Sequence, residues 1–288
     1  MAAGGDPDPA LRRALLIAAG AATVVWFAVV ALVEEAPFAL TFDDAWYYAG
    51  IARHLAEGAG STFDGINPTN GYHPPWMAVS VVPFLLGLDD LAAVRALLLV
   101  QVLAWGAALA LVAELVSTAV GPLTGPGRRA ATAVVGLVFA LVALSQFVVK
   151  TFVNGLETGI GVAVNAAVLL VAARHPDLVR APRRVPVVLG GLLALAFLAR
   201  TDAAVLVAAA GAWTLPAAWR DRRPAPVALV VGPAALTALV YLALNQRWFG
   251  SPLQISGLIK RAPLDAGAAV TMALVGAVTV ALAAHGCR

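Results

Sequence analysis

The sequence predicts an all-α membrane protein: a polytopic bundle of about eight spans, with one re-entrant or partial helix and one interfacial helix in the first outer loop. Three observations carry this expectation. Of 288 residues, 61% are hydrophobic and 12% charged; the apolar residues come in long uninterrupted blocks; and arginines gather in the short connections between blocks. So little polar surface does not enclose a soluble core, which leaves lipid as the solvent. The net charge of +3 is small. No basic face with interleaved aromatics is present, so the basic balance reads as topology and nucleic acid is not an expected partner. Cys287 is the single cysteine, which excludes an internal disulfide framework and a CxxC metal site.

Apolar blocks fall at about 14–33, 76–88, 91–120, 131–149, 158–173, 185–199, 203–219, 227–244 and 267–284. The first follows Arg12 and Arg13 and ends in Glu34-Glu35-Ala36-Pro37 without a convincing cleavage site, so it reads as a retained span. Block 76–88 covers only about 20 Å of an apolar layer roughly 30 Å thick. Charge then sets the parity. If 76–88 leaves and returns on one side, the cytoplasmic segments are the N-terminus, 121–130, 174–184, 220–226 and Arg288, which together hold twelve of the nineteen basic residues. If it crosses, those arginine-rich loops face outward. The expectation is eight spans with both termini cytoplasmic and loop 34–75 extracytoplasmic. Arg53, Arg95, Lys150, Arg200, Arg247, Lys260 and Arg261 then lie at the outer side. An anionic ligand there explains cations placed against the trend, as do headgroup contact and snorkelling.

The first outer loop is the most informative stretch. Tyr48, Ile51, Ala52 and Leu55 follow helical spacing, with Gly58 and Gly60 as the stop and Trp46, Tyr47 and Tyr48 as interfacial residues, so 43–56 reads as a helix lying on the membrane surface. Asp43 and Asp44 stand at its start, at the lipid boundary, where a carboxylate is costly without a partner or a task. Adjacent helical residues point about 100° apart, so the two need separate accounts. Thr41 with Asp44 three residues on matches a capping box, which leaves Asp43 as the preferred reactive carboxylate. Gly65, Asn67, Pro68, Asn70, Gly71, Pro74 and Pro75 make the second half a fixed, turn-rich loop. Tyr72 and His73 are placed there either to orient a ligand or to cap the loop onto the membrane.

At these residues the chain resembles the GT-C glycosyltransferases, polytopic enzymes that use polyprenyl-phosphate-linked sugars at the outer membrane face. The similar elements are FDDAWYYAGIARHLAEGAG and INPTNGYHPPW in the loop, NGLETG at 154–159, LARTD at 198–202 and RWFGSPL at 247–253. They are similar to elements of the arabinofuranosyltransferase and mannosyltransferase-like branch and run from about residue 37 to 260. The resemblance implies a single GT-C-like transmembrane domain over 1–288 and makes Asp43 the catalytic acid/base, with Asp44 beside it and Glu157 and Asp202 near the same cavity. Thr201 stands where the family often has proline, Gln254 where an asparagine-containing run would continue, and the chain stops after one more span. A short form, a split-gene product or an inactive remnant are the expectations that follow.

The chemistry can be stated without the family. Transfer from a phosphate-linked sugar needs a base for the acceptor hydroxyl and cations for the departing phosphate. Asp43 suits the first task; Lys150, Arg200, Lys260 and Arg261 suit the second. The plain alternatives are an ion pair between Arg200 and Asp202 at a helix end, and for Glu157 a favourable charge at a helix N-terminus. Asp43, Asp44 and Glu157 also suit a hard divalent cation, although no DxDxD-like spacing supports one. The expected partners are a polyprenyl-phosphate sugar, a cell-envelope glycan, lipid or protein acceptor, and membrane lipid. A lipid or sugar transporter and a non-catalytic membrane subunit remain as competing classes; against the former, charges sit mainly at span ends, with Glu114 and the uncharged but polar Asn165 as exceptions.

Overall fold

The computed structural model describes residues 8–255, so Lys260, Arg261, Cys287, Arg288 and the last apolar block lie outside the described residues. The chain runs through helices α1 (Pro9–Leu32), α2 (Ala36–Leu40), α3 (Asp43–Ala56), α4 (Pro74–Leu85), α5 (Asp90–Val120), α6 (Arg128–Leu144), α7 (Gln146–Phe152), α8 (Thr158–Arg174), α9 (Arg184–Ala199), α10 (Ala204–Arg220) and α11 (Ala225–Phe249). A 3-10 turn, Thr201–Ala203, leads into α10. The fold is all-helical: among the described residues β pairing is limited to an isolated bridge between Thr62 and Pro68.

Among the described residues four helices are long and apolar enough to cross a membrane: α1, α5, the continuous Thr201–Arg220 stretch, and α11. Helices α6 and α7 make a fifth if taken as one span, bent by 59° where Ser145 turns extended. Helices α8 and α9 hold 17 and 16 residues, roughly 24–26 Å each, short of a layer about 30 Å thick. Length therefore supports four or five spans among the described residues, where the apolar blocks predict more. Helix α8 begins late because the chain before it folds into the 153–157 turn, and α9 ends where Arg200 adopts extended backbone.

Helix α1 shows how sequence and packing agree. Asp8 caps it, accepting from the backbone amides of Ala10 and Leu11, and Pro9 sits at the first helical position. Leu11, Leu15, Ala19, Ala22, Trp26 and Val30 form its buried face, yet Ile17, Val24, Val25 and Phe27 are exposed on the other side. A helix apolar all round is one surrounded by lipid or protein. One core gathers Trp26, Leu98, Val102, Trp105 and Val149 between α1, α5 and α7. A second joins α8, α9, α10 and α11 around Val168, Leu189, Leu193 and Val230. There α9 meets α11 at Gly190, where any Cβ would run into the Leu229 carbonyl.

Ion pairs define the two ends of the bundle. Asp8 pairs with Arg128, Glu114 with both Arg12 and Arg174, and Arg180 with Asp221. The start of α1, the end of α5, the 121–130 segment and the loops after α8 and α10 thus share one end. At the other end, Arg95 near the start of α5 donates to the carbonyls of Val30, Val33 and Glu34 at the end of α1, and Arg53 of α3 pairs with Asp90. Since α1 ends where α5 begins, the segment between them leaves and returns at that end, α4 included.

Candidate functional site

The site is built at this second end, from the α3 start, the loop before α4, the turn before α8, the α9 terminus and the segment after α11. Helix α3 buries Tyr48, Ile51 and Ala52 with Leu55 packed beside them, the face its spacing predicts. Its beginning differs from expectation. The cap residue is Phe42, which offers no side-chain cap bond, and Asp43 and Asp44 both lie in the first turn. Thr41 is occupied elsewhere: its hydroxyl donates to the Pro37 carbonyl and accepts from Trp46 Nε1. The Thr41–Asp44 capping box therefore does not form, because the short helix α2 directly ahead claims the threonine. Both carboxylates lie in the first turn of α3, where the helix dipole favours negative charge.

The loop from 57 to 73 is fixed by its own side chains. Asp64 accepts from the amides of Ile66 and Asn67 and from the Asn67 and Thr62 side chains. Bonds from Asn67 above all hold its carboxyl well below the usual range. Tyr47 stacks on Phe63 with ring centroids 4.5 Å apart, and Ser61 bonds both the Thr69 carbonyl and the Tyr72 hydroxyl.

The turn before α8 is clamped from below. Gln101, fully buried in the middle of α5, accepts from the Gly155 amide at 2.8 Å and donates to the Leu156 carbonyl; Trp76 Nε1 donates to the Gly155 carbonyl at 2.9 Å. Gly155 has φ +86°, and a Cβ there would collide with that of Ala45 on α3. Only glycine lets this turn press against α3 in that conformation. The clamp places Glu157 beside α3 rather than in solvent.

Glu157 is the centre of the cluster and 6% exposed. It occupies the N-cap position of α8 but its carboxylate makes no cap bond. Oε1 is 3.1 Å from Arg200 Nη1 and 3.5 Å from His73 Nε2, and Oε2 accepts from the Tyr48 hydroxyl at 3.3 Å. Tyr48 in turn accepts from the His73 amide at 3.0 Å. Burial and the charge of Glu157 push the Tyr48 phenol far above its usual value, so it stays a donor. Burial likewise pushes the His73 imidazole below its usual value, outweighing the pull of Glu157. The ring is thus neutral near pH 7, and its tautomer is set by Gln254. That amide nitrogen donates to the Tyr72 carbonyl at 2.7 Å and faces His73 Nδ1 at 3.1 Å. A carbonyl accepts only, so the nitrogen assignment follows, Nδ1 is the acceptor, and Nε2 carries the proton toward Glu157.

Arg200 is committed to carboxylates. Besides Glu157 it grips Asp202 through Nε and Nη2, the latter at 2.9 Å. The local ion pair, the plain alternative to a phosphate-binding role, is present and extends to Glu157, which ties the α9 terminus to the turn before α8.

These groups line a cavity of about 440 Å³ whose walls include Asp44, Tyr48, Thr69, His73, Glu157 and Arg200. Asp44 lines it; Asp43 is exposed and outside the lining, with its Oδ1 accepting from the Asp44 amide. Lys150 is also outside it: its ammonium lies 5.4 Å from the Phe42 ring centroid. Tyr72 turns to the opposite side, where a second cavity of about 680 Å³ is lined mostly by apolar residues of α11, among them Leu236, Val240, Leu244 and Trp248. The segment 70–74 is the shared wall, with Asn70, Tyr72 and Pro74 lining the apolar cavity and Gly71 and His73 the acidic one. Asn70 fastens this wall to α11 and to the chain after it, donating to Asn245 of α11 and to the Leu253 carbonyl and accepting from the Ile255 amide. Among the described residues no three His, Cys, Asp or Glu side chains are grouped so as to hold a metal ion.

Of the residues singled out in the sequence, the structure brings Asp44, His73, Glu157, Arg200 and Asp202 together; Tyr48, Gln101, Trp76 and Gln254 join them without having been singled out as site residues. A glutamine within an apolar block was the available signal for Gln101. Compared with protein-family models, curated proteins and solved structures, the chain finds no match.

Proposed function

We propose that this protein is a membrane glycosyltransferase that moves a sugar from a polyprenyl-phosphate donor to a hydroxyl acceptor. The observation that carries the reading is the pair of cavities divided by residues 70–74: an acidic one of about 440 Å³ beside an apolar one of about 680 Å³. Together they fit a ligand with a polar sugar head and a long apolar chain. The order of elements resembling the GT-C enzymes supports the same class. The gathering of arginine-rich segments at the opposite end supports a topology in which the cavities face outward, in a multi-pass chain with further spans supplied by the short helices.

Within this reading Asp44 replaces Asp43 as the general base, because Asp44 lines the cavity. It takes the acceptor hydroxyl proton as that oxygen bonds to the sugar's anomeric carbon and the bond to the lipid phosphate breaks. Glu157, oriented by Tyr48, His73 and Arg200, holds sugar hydroxyls. Arg200 is neutralised by two carboxylates and Lys150 lies outside the cavity, which leaves Lys260 and Arg261, outside the described residues, as the proposed cations for the departing phosphate.

Transfer from a panel of polyprenyl-phosphate sugars to a labelled acceptor, in membranes containing the protein, tests this. Asp44→Asn is expected to lose about 10²–10⁴ in rate while still binding donor, and Asp43→Asn to retain transfer. Full activity in Asp44→Asn removes the proposed base. Donor binding without transfer in the parent favours a non-catalytic lipid-binding subunit, and neither binding nor transfer sinks the reading.

A further inference from the structure

At the end of the bundle opposite the acidic cavity, a second polar cavity opens between α1, α5 and α8. On α5 its Glu114 lies thirteen residues beyond Gln101, roughly 20 Å along the helix. Arg12, Arg13, Glu114 and Arg174 line it, with Leu16 and Ile17 rising beside them. Glu114 is 14% exposed and both its oxygens are taken: Arg12 Nε and Nη2 approach Oε1 at 2.6 Å, and Arg174 Nη2 approaches Oε2 at 2.8 Å. One carboxylate thus fixes two guanidinium groups on different helices. Each guanidinium has five N–H donors and uses only one or two on Glu114, and both side chains remain about half exposed. Arg13 adds a third cation and forms no ion pair with the described residues. Three arginines against one carboxylate leave the cavity with an excess of positive charge and unspent donors.

We propose that this cavity binds the phosphate of an anionic phospholipid headgroup. The charge calls for an anion, and guanidinium groups held at fixed spacing suit phosphate oxygens. The wall selects a lipid over a free ion: Ile17 is 60% exposed and lies one residue beyond Leu16 on the same apolar helix, so an acyl chain continues from the headgroup along α1. Basic pockets between helices at the cytoplasmic end are suited to such headgroups. The inference is independent of the proposed transfer reaction.

Native mass spectrometry of the full chain in detergent, with phosphatidylglycerol and phosphatidylcholine of matched chains, tests the site. Phosphatidylglycerol is expected to bind at least about tenfold more tightly. Arg13→Gln, which leaves the Glu114 pairs intact, should weaken it about fivefold, and Arg13→Gln with Arg174→Gln about 25-fold, at roughly 1 kcal/mol per cation. Arg223→Gln, in the loop after α10 at the same end, serves as the control and should leave binding unchanged. An unaltered thermal midpoint of Arg13→Gln without added lipid shows that the fold is intact. Equal binding of the two lipids, or an equal loss in Arg223→Gln, overturns the proposal by reducing the effect to general surface charge. Inorganic phosphate raising the midpoint as much as phosphatidylglycerol does would overturn the assignment to lipid.

Discussion

Gln101→Leu isolates the contact that sets the position of Glu157. Leucine is close to glutamine in volume and leaves little cavity, so the change acts through hydrogen bonding. The Gly155 amide loses its acceptor and the Leu156 carbonyl its donor, beneath a fully buried position. Each unsatisfied buried group costs about 1–3 kcal/mol, which gives roughly 2–6 kcal/mol for the pair. Domains are stable by only about 5–15 kcal/mol, so the loss is large. Trp76 still bonds the Gly155 carbonyl, and the variant should fold with a loosened turn before α8. Equilibrium unfolding in mixed micelles, followed by tryptophan fluorescence, measures the difference. A change below about 0.5 kcal/mol would show that these two groups find other partners and that the clamp does not hold the turn.

Gly155→Ala should destabilise by roughly 2–4 kcal/mol, combining the cost of a positive φ with the collision at Ala45; Ala45→Gly added to it should recover the steric part alone in the same unfolding assay. His73 titrates below its ordinary value of 6.5, so the unfolded chain takes up the proton first on acidification. Stability should be flat above about pH 7 and fall from about pH 6.5 downward, a slope that thermal midpoints should show reduced in His73→Gln; an unchanged slope would assign it to other groups. Cysteines introduced at Gly65 and Arg183 should differ in accessibility, the first labelled in intact cells and the second only after permeabilisation, and the reverse pattern would invert the proposed topology.

The amino-acid sequence by itself determined the helical class, the approximate bounds of most helices and the buried face of α3, because these follow from apolar periodicity, caps and breakers that act within a few residues. It also brought Asp44, His73, Glu157 and Arg200 into view as polar groups at the ends of apolar blocks. Only the tertiary structure decided that Asp44 and not Asp43 lines the cavity, since the choice depends on how α3 is rotated against its neighbours, among them Gly155, which meets Ala45 from more than a hundred residues on. The commitment of Arg200 to Glu157 as well as Asp202, the turn of Tyr72 toward the apolar cavity, and the hold of Gln254 on His73 have the same origin. Spacing along one helix fixes which residues share a face; what that face meets is fixed by the packing of segments that sequence distance does not relate.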